Sequence, residues 1–153
     1  MVVCIACVAA MVCACGNPRT SYNHYCSTLV EGWEPGDSLK FNVDTLKTAG
    51  KYQITLGLRT SVSIPYPYQS ITLLVCQHWK NPERTFRDTV NISLTDEHGD
   101  ANGSGGSFNQ YTYEWKTIDI PTGSCGYITV NHLMRSEMLP GISNVGVKLK
   151  RLD

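Results

Sequence analysis

Histidines, cysteines and acidic residues are the side chains here that could do chemistry, and their spacing decides which chemistry is open to them. The four histidines, His24, His78, His98 and His132, lie far apart along the chain. No GxSxG turn, HExxH helix or glycine-rich phosphate loop accompanies them, so nothing points to hydrolase, metalloprotease or nucleotide chemistry. Cys4 and Cys7 have CxxC spacing, but they sit in an unbroken apolar run with no second ligand pair at zinc-site distance. The loop Asp96-Glu97-His98-Gly99-Asp100-Ala101-Asn102-Gly103 sets oxygen donors beside glycines, as calcium loops do. Counted from Asp96, however, the third position is His98 and the twelfth is Ser107, where an EF-hand needs an oxygen donor and a glutamate. We read it as a solvated loop, running on into the flexible Gly103-Ser104-Gly105-Gly106-Ser107. No catalytic residue, metal or cofactor is expected, and the chain is not expected to be an enzyme.

The remaining cysteine chemistry depends on compartment. Every residue from Met1 to Cys15 is apolar, and the run stops at Gly16-Asn17-Pro18-Arg19, which carries the first charge. A membrane-spanning helix needs about 20 apolar residues, whereas the apolar region of a secretory signal runs about 7–15 and ends at small residues. Val12-Cys13-Ala14-Cys15 resembles the bacterial lipobox, in which the final cysteine is lipidated on sulfur and becomes the mature N-terminus. Cys15 is therefore the expected lipid anchor, with residues 1–14 as a cleaved signal peptide. No basic residue precedes the apolar run, so the translation start is expected to lie upstream of Met1. In an oxidising compartment Cys26, Cys76 and Cys125 would allow one disulfide and leave one thiol free; which pair is not legible.

Thirteen Lys+Arg balance thirteen Asp+Glu among 153 residues, which leaves no electrostatic footprint for nucleic acid and no polybasic patch for anionic lipid. With 42% of residues hydrophobic and 17% charged, the chain can bury a core, and its length suits one domain. Residues 15–27 are polar and aromatic and read as a tether; residues 28–153 read as the domain.

The elements that must position any site are strands. Ser38 to Asp44 alternates strictly, with Leu39, Phe41 and Val43 on one face; Tyr52, Ile54, Leu56 and Leu58 share a face in Lys51–Arg59. Ile64-Pro65-Tyr66-Pro67-Tyr68 forms a proline-rich turn before Ser70–Cys76, whose near-continuous apolar character predicts a central strand buried on both faces, with Cys76 in the core. Further strands are expected at Arg87–Leu94, Tyr111–Ile120, Gly126–Leu133 and Val145–Leu152. Short strands separated by Gly, Pro and Asn predict an all-β, two-sheet antiparallel sandwich of about seven to eight strands. On it, Tyr66, Tyr68, Tyr111, Tyr113 and Trp115 lie near turns or alternate along a strand, and Arg135 ends one. These six are the candidate partner or ligand surface. A planar row of rings would favour a glycan; a mixed apolar patch would favour a protein.

Two stretches carry a resemblance to a known family. His132-Leu133-Met134-Arg135 followed by Leu139-Pro140-Gly141-Ile142-Ser143-Asn144-Val145-Gly146-Val147-Lys148-Leu149 is similar to the C-terminal signature of the gliding-motility lipoprotein family GldH of Bacteroidetes. Leu58-Arg59 and Tyr66-Pro67-Tyr68-Gln69-Ser70-Ile71 resemble the same family's LR and YPY motifs. Asn144 stands where the family usually has Asp. The resemblance covers most of residues 15–150 and implies a palmitate-bearing envelope lipoprotein held in the membrane through Cys15, at the outer membrane and facing the periplasm. It also implies a non-catalytic accessory or assembly role beside an envelope protein partner. A glycan-binding sandwich module is the alternative.

Overall fold

A computed structural model of the chain describes residues 19–153, in which there are eight strands and no helix. They are β1 (Thr20–Ser27), β2 (Leu39–Val43), β3 (Gly50–Ser61), β4 (Ser70–Lys80), β5 (Arg84–Ser93), β6 (Phe108–Ile120), β7 (Cys125–His132) and β8 (Ile142–Arg151). They form two antiparallel four-stranded sheets, ordered β1-β8-β3-β6 and β2-β7-β4-β5. Only β4 and β5 follow one another within a sheet. Every other connection crosses from one sheet to the other, which makes the two-sheet sandwich a jelly roll.

Alternation explains why these residues fold this way. Successive side chains of a strand point to opposite faces. Tyr52, Ile54, Leu56 and Leu58 of β3 therefore meet Ile71, Leu73 and Val75 of β4 in the core, with Ile128 and Val130 of β7 and Val145, Val147 and Leu149 of β8 beside them. Phe41 and Val43 of β2 are buried in the same way, as the sequence predicts. At the open side between edge strands β5 and β6, the Lys116 ammonium bonds the Asp88 carboxylate at 2.9 Å and an Arg84 Nη donates to the Asp119 carbonyl at 3.0 Å, so polar groups close the seam. Both members of the ion pair are about a third exposed, so it contributes about 0–1 kcal/mol.

Three expectations change. Within the stretch read as a tether, Thr20–Ser27 is a full strand, pairing along β8 with Tyr22 opposite Leu149 and Cys26 opposite Val145. Its sequence hides this, because an edge strand leaves its inward residues half-covered, as Tyr22 and Cys26 are, or exposed, as His24 is, where a central strand would need aliphatics. Second, β4 is central, between β7 and β5, but only one face lies in the core. Leu74 and Cys76 are on the outer, half-covered face, so Cys76 is not a core residue. Third, Cys26, Cys76 and Cys125 are all free thiols. The signal-peptide residues and Cys15 lie outside the described residues.

The crossing pattern also sorts the loops. Residues 28–38, 62–69, 94–107 and 133–141 all lie at one end of the sandwich. The shorter connections 44–49, 81–83 and 121–124 lie at the other, where the chain enters at Thr20 and leaves after Arg151. The long-loop end is locked by two of its loops meeting. Gly141 has φ +87° and a Cβ there would stand 2.5 Å from the Tyr66 nitrogen and 2.6 Å from its Cα, both backbone atoms that cannot yield. Gly141→Ala is therefore expected to lower unfolding free energy by about 1–3 kcal/mol. Chemical denaturation of the full chain in detergent, followed by the fluorescence of the fully buried Trp33 and Trp79, will measure it. Gly36→Ala, at an open position, should shift it by less than about 0.5 kcal/mol.

Candidate functional site

The long-loop end brings three of the six candidate residues together. Tyr66, Tyr68 and Tyr111 line one cavity of about 310 Å³, together with Thr60, Val62, Thr95 and Asn109. Prolines 65 and 67 hold the β3–β4 loop extended, and the Tyr66 hydroxyl donates to the Ser70 carbonyl at 2.8 Å, which pins the loop to the start of β4. Tyr66 and Tyr68 meet edge to face, 5.6 Å between centroids at 70°. Burial first, and the neighbouring Tyr68 second, push the Tyr66 phenol well above its ordinary pKa, so it remains a neutral donor. Tyr111, on β6, is buried beneath the glycine-rich loop; a Cβ at Gly103 would fall 2.8 Å from its ring.

The other three candidates are elsewhere. Tyr113 lies further along β6 and is 38% exposed at the sandwich edge. Trp115 is displaced by a β-bulge: Thr55 pairs with Glu114 and Ile54 with Lys116, so Trp115 is the extra residue and leaves the alternation that Tyr111 and Tyr113 share. The Lys116 ammonium stands 5.0 Å from its ring centroid. Arg135 is exposed in the β7–β8 loop, away from the tyrosine cavity's lining. No planar aromatic row forms from these rings.

Patterning alone gives no reason to single out Val62 or Phe108. Val62 lines the tyrosine cavity just past the end of β3, whereas Phe108, directly opposite Ser61 where β6 begins, turns to the outer sheet face with its ring 5.0 Å from the Arg59 guanidinium. Val62 and Tyr68 are 55% and 43% exposed, giving this end a mixed apolar and aromatic rim.

The acidic loop is committed to itself. Asp96 Oδ1 accepts from the backbone amides of His98 at 2.8 Å and Asp100 at 2.9 Å, an Asx turn that engages this oxygen within the loop. Among the described residues no group of three His, Cys, Asp or Glu could hold a metal ion.

His132 is the buried histidine, and its role is structural. Its Nε2 lies 2.9 Å from the Trp33 carbonyl, its Nδ1 accepts from the Met134 amide at 3.3 Å, and its ring meets Trp33 edge-on at 5.0 Å. A neutral ring with its proton on Nε2 satisfies both bonds. Burial lowers the His132 pKa below 6.5, against a smaller opposing effect of the Trp33 carbonyl. The unfolded chain then binds this proton more readily than the fold does, so stability is complete above pH 6.5 and declines as pH falls below it. Unfolding free energy should be lower at pH 5.5 than at 7.5, and His132→Gln should flatten that slope in a denaturant series at the two pH values.

The sequence matches the model of the GldH lipoprotein family over residues 20–149. No functionally curated protein matches it. Among solved structures, an uncharacterized protein, lmo2446, from Listeria monocytogenes EGD-e is similar at 14% identity and a TM-score of 0.39, over 79% of this chain and 9% of that one. The VP2 subviral particle of infectious bursal disease virus is similar at 9% identity and a TM-score of 0.29, over 86% of this chain and 32% of that one. The chain thus spans a tenth to a third of the length of these structures.

Proposed function

This chain belongs to the GldH lipoprotein family, and from that premise we propose that it is a non-catalytic accessory component of an envelope assembly, the gliding-motility machinery or a related complex. The family supplies membrane anchorage in the envelope through lipid. We assign the lipid to Cys15 and the location to the outer membrane, facing the periplasm. No acidic residue lies between Cys15 and Glu31, so no acidic cluster follows the anchor to serve as a surface-export signal.

The observation that carries the reading is the polarity of the fold. The chain enters at Thr20, at the short-loop end, and all four long loops lie at the opposite end. Five residue steps separate Cys15 from Thr20, a reach of about 17 Å at most. Anchorage at Cys15 would hold the short-loop end close to the bilayer and turn the Val62 and Tyr68 rim away from it. A mixed rim around a shallow aromatic cavity suits a protein partner, whose interfaces draw on Tyr and Phe at their centres. Tyr111 is buried and Trp115 leaves the alternation, so Tyr111, Tyr113 and Trp115 share no face on which a sugar could stack, and this surface favours a protein.

Two tests follow. Cys15→Ala should move the protein from the membrane to the soluble fraction of the native host; continued membrane association would contradict assignment of the lipid to Cys15. In crosslinking from host membranes, Val62→Asp should reduce recovery of discrete envelope proteins at least fivefold, about 1 kcal/mol. Lys51→Asp, at the opposite end, should leave recovery unchanged.

A further inference from the structure

A second cavity, of about 200 Å³, opens on the outer face of the β1-β8-β3-β6 sheet. Gly57 of β3 and Gly146 of β8 are paired in register there, and the room they leave lets an aromatic ring lie flat as part of the cavity wall. Tyr25 of β1, opposite Gly146, lays its ring across both glycines, and a Cβ at Gly146 would stand 2.6 Å from ring carbons. The ring in turn carries a cation. The Arg59 guanidinium lies 4.0 Å from the Tyr25 centroid and 5.0 Å from that of Phe108. Its Nε donates to Gln110 Oε1 at 3.2 Å, and Gln110 Nε2 donates to the Tyr25 hydroxyl at 3.3 Å. Arg59 is thus oriented from three sides while its terminal nitrogens make no hydrogen bond with a described residue.

The rest of the lining repeats that condition. Lys148 of β8, beside Thr55 and Asn23, forms no ion pair with any described residue. The side chains of Asn23, Thr55 and Thr112 point into the same hollow without a partner among the described residues, although Thr55 is only 7% exposed. No carboxylate lines the cavity. Asn144, next to Arg59 across the strand pair, is a neutral amide, and Glu114 stands outside the lining at the sheet edge. One oriented guanidinium, one unpaired ammonium and three free hydroxyl or amide groups, with no acid in the lining, are the complement of an oxyanion surrounded by hydroxyls.

We propose that this hollow is a binding site for a small anionic saccharide, with Arg59 and Lys148 gripping a carboxylate or phosphate oxyanion and Asn23, Thr55 and Thr112 bonding its hydroxyls. The volume admits one sugar ring. The site is separate from the Tyr66 and Tyr68 cavity and does not rest on the proposed docking role.

Calorimetric titration of the full chain in detergent with glucuronate, glucose 6-phosphate, inorganic phosphate and glucose tests it. Binding of either charged sugar, weakened at least tenfold by Lys148→Gln and by Arg59→Lys, would support the site; Lys148 has no partner in the fold, so its variant should fold normally. The preferred charged sugar tells carboxylate from phosphate as the source of the oxyanion. Equal binding of glucose, binding of inorganic phosphate alone, or no binding of any of the four would overturn the proposal, as would unchanged affinity in the Lys148→Gln protein.

Discussion

The backbone of Gly141 lies so close to the backbone of Tyr66 that no side chain fits between them, and the long-loop end is organised around that approach. It joins the β7–β8 loop to the β3–β4 loop, which start from different sheets. Beside it, Trp33 and Leu139 exchange backbone hydrogen bonds at 2.8 and 3.0 Å, with both side chains fully buried. The β1–β2 loop is thereby fastened to the same point. The Ser61 amide also donates to the Gly141 carbonyl at 2.8 Å, tying the end of β3 in. A loop cluster fastened this way can hold Tyr66 and Tyr68 at a fixed angle without any helix or disulfide among the described residues.

This explains why the two family-like stretches, far apart in sequence, belong together. The Leu139-Pro140-Gly141 turn and the Tyr66-Pro67-Tyr68 turn are two halves of one contact, and His132 and Met134 brace it. Thr72 donates its amide toward the Met134 sulfur at 3.3 Å, and His132 holds the Trp33 carbonyl. The signature is thus mostly architecture. The candidate surfaces are what this architecture displays, and their chemistry differs: an apolar rim with Val62 and Tyr68 at the loop end, a cationic polar hollow with Arg59 and Lys148 on the sheet face.

The legible parts of the fold were those where one face is covered and the other is not. Leu39, Phe41 and Val43, and Tyr52 through Leu58, read directly because core and solvent impose period two. Where coverage is partial the same logic fails. β1 carries Tyr22, His24 and Cys26 inward at an edge and reads as polar; β4 carries Leu74 and Cys76 outward and reads as doubly buried. The bulge at Trp115 has no sequence marker, since neither Gly nor Pro accompanies it, so period two alone groups its ring with Tyr111 and Tyr113. Tyr66, Tyr68 and Tyr111 are legible from their residue type near turns. Arg59, Lys148 and Tyr25 are not, because their meeting depends on strand order, which local patterning does not encode.

The most direct test of the central claim, that the short-loop end faces the bilayer and the long-loop end a protein, is photocrosslinking in host cells from position 68 and from position 122, at opposite ends of the sandwich. Position 68 should yield a discrete protein adduct, and position 122 should yield lipid adducts without that protein. Protein adducts of equal yield from both positions, or lipid adducts from position 68, would contradict it.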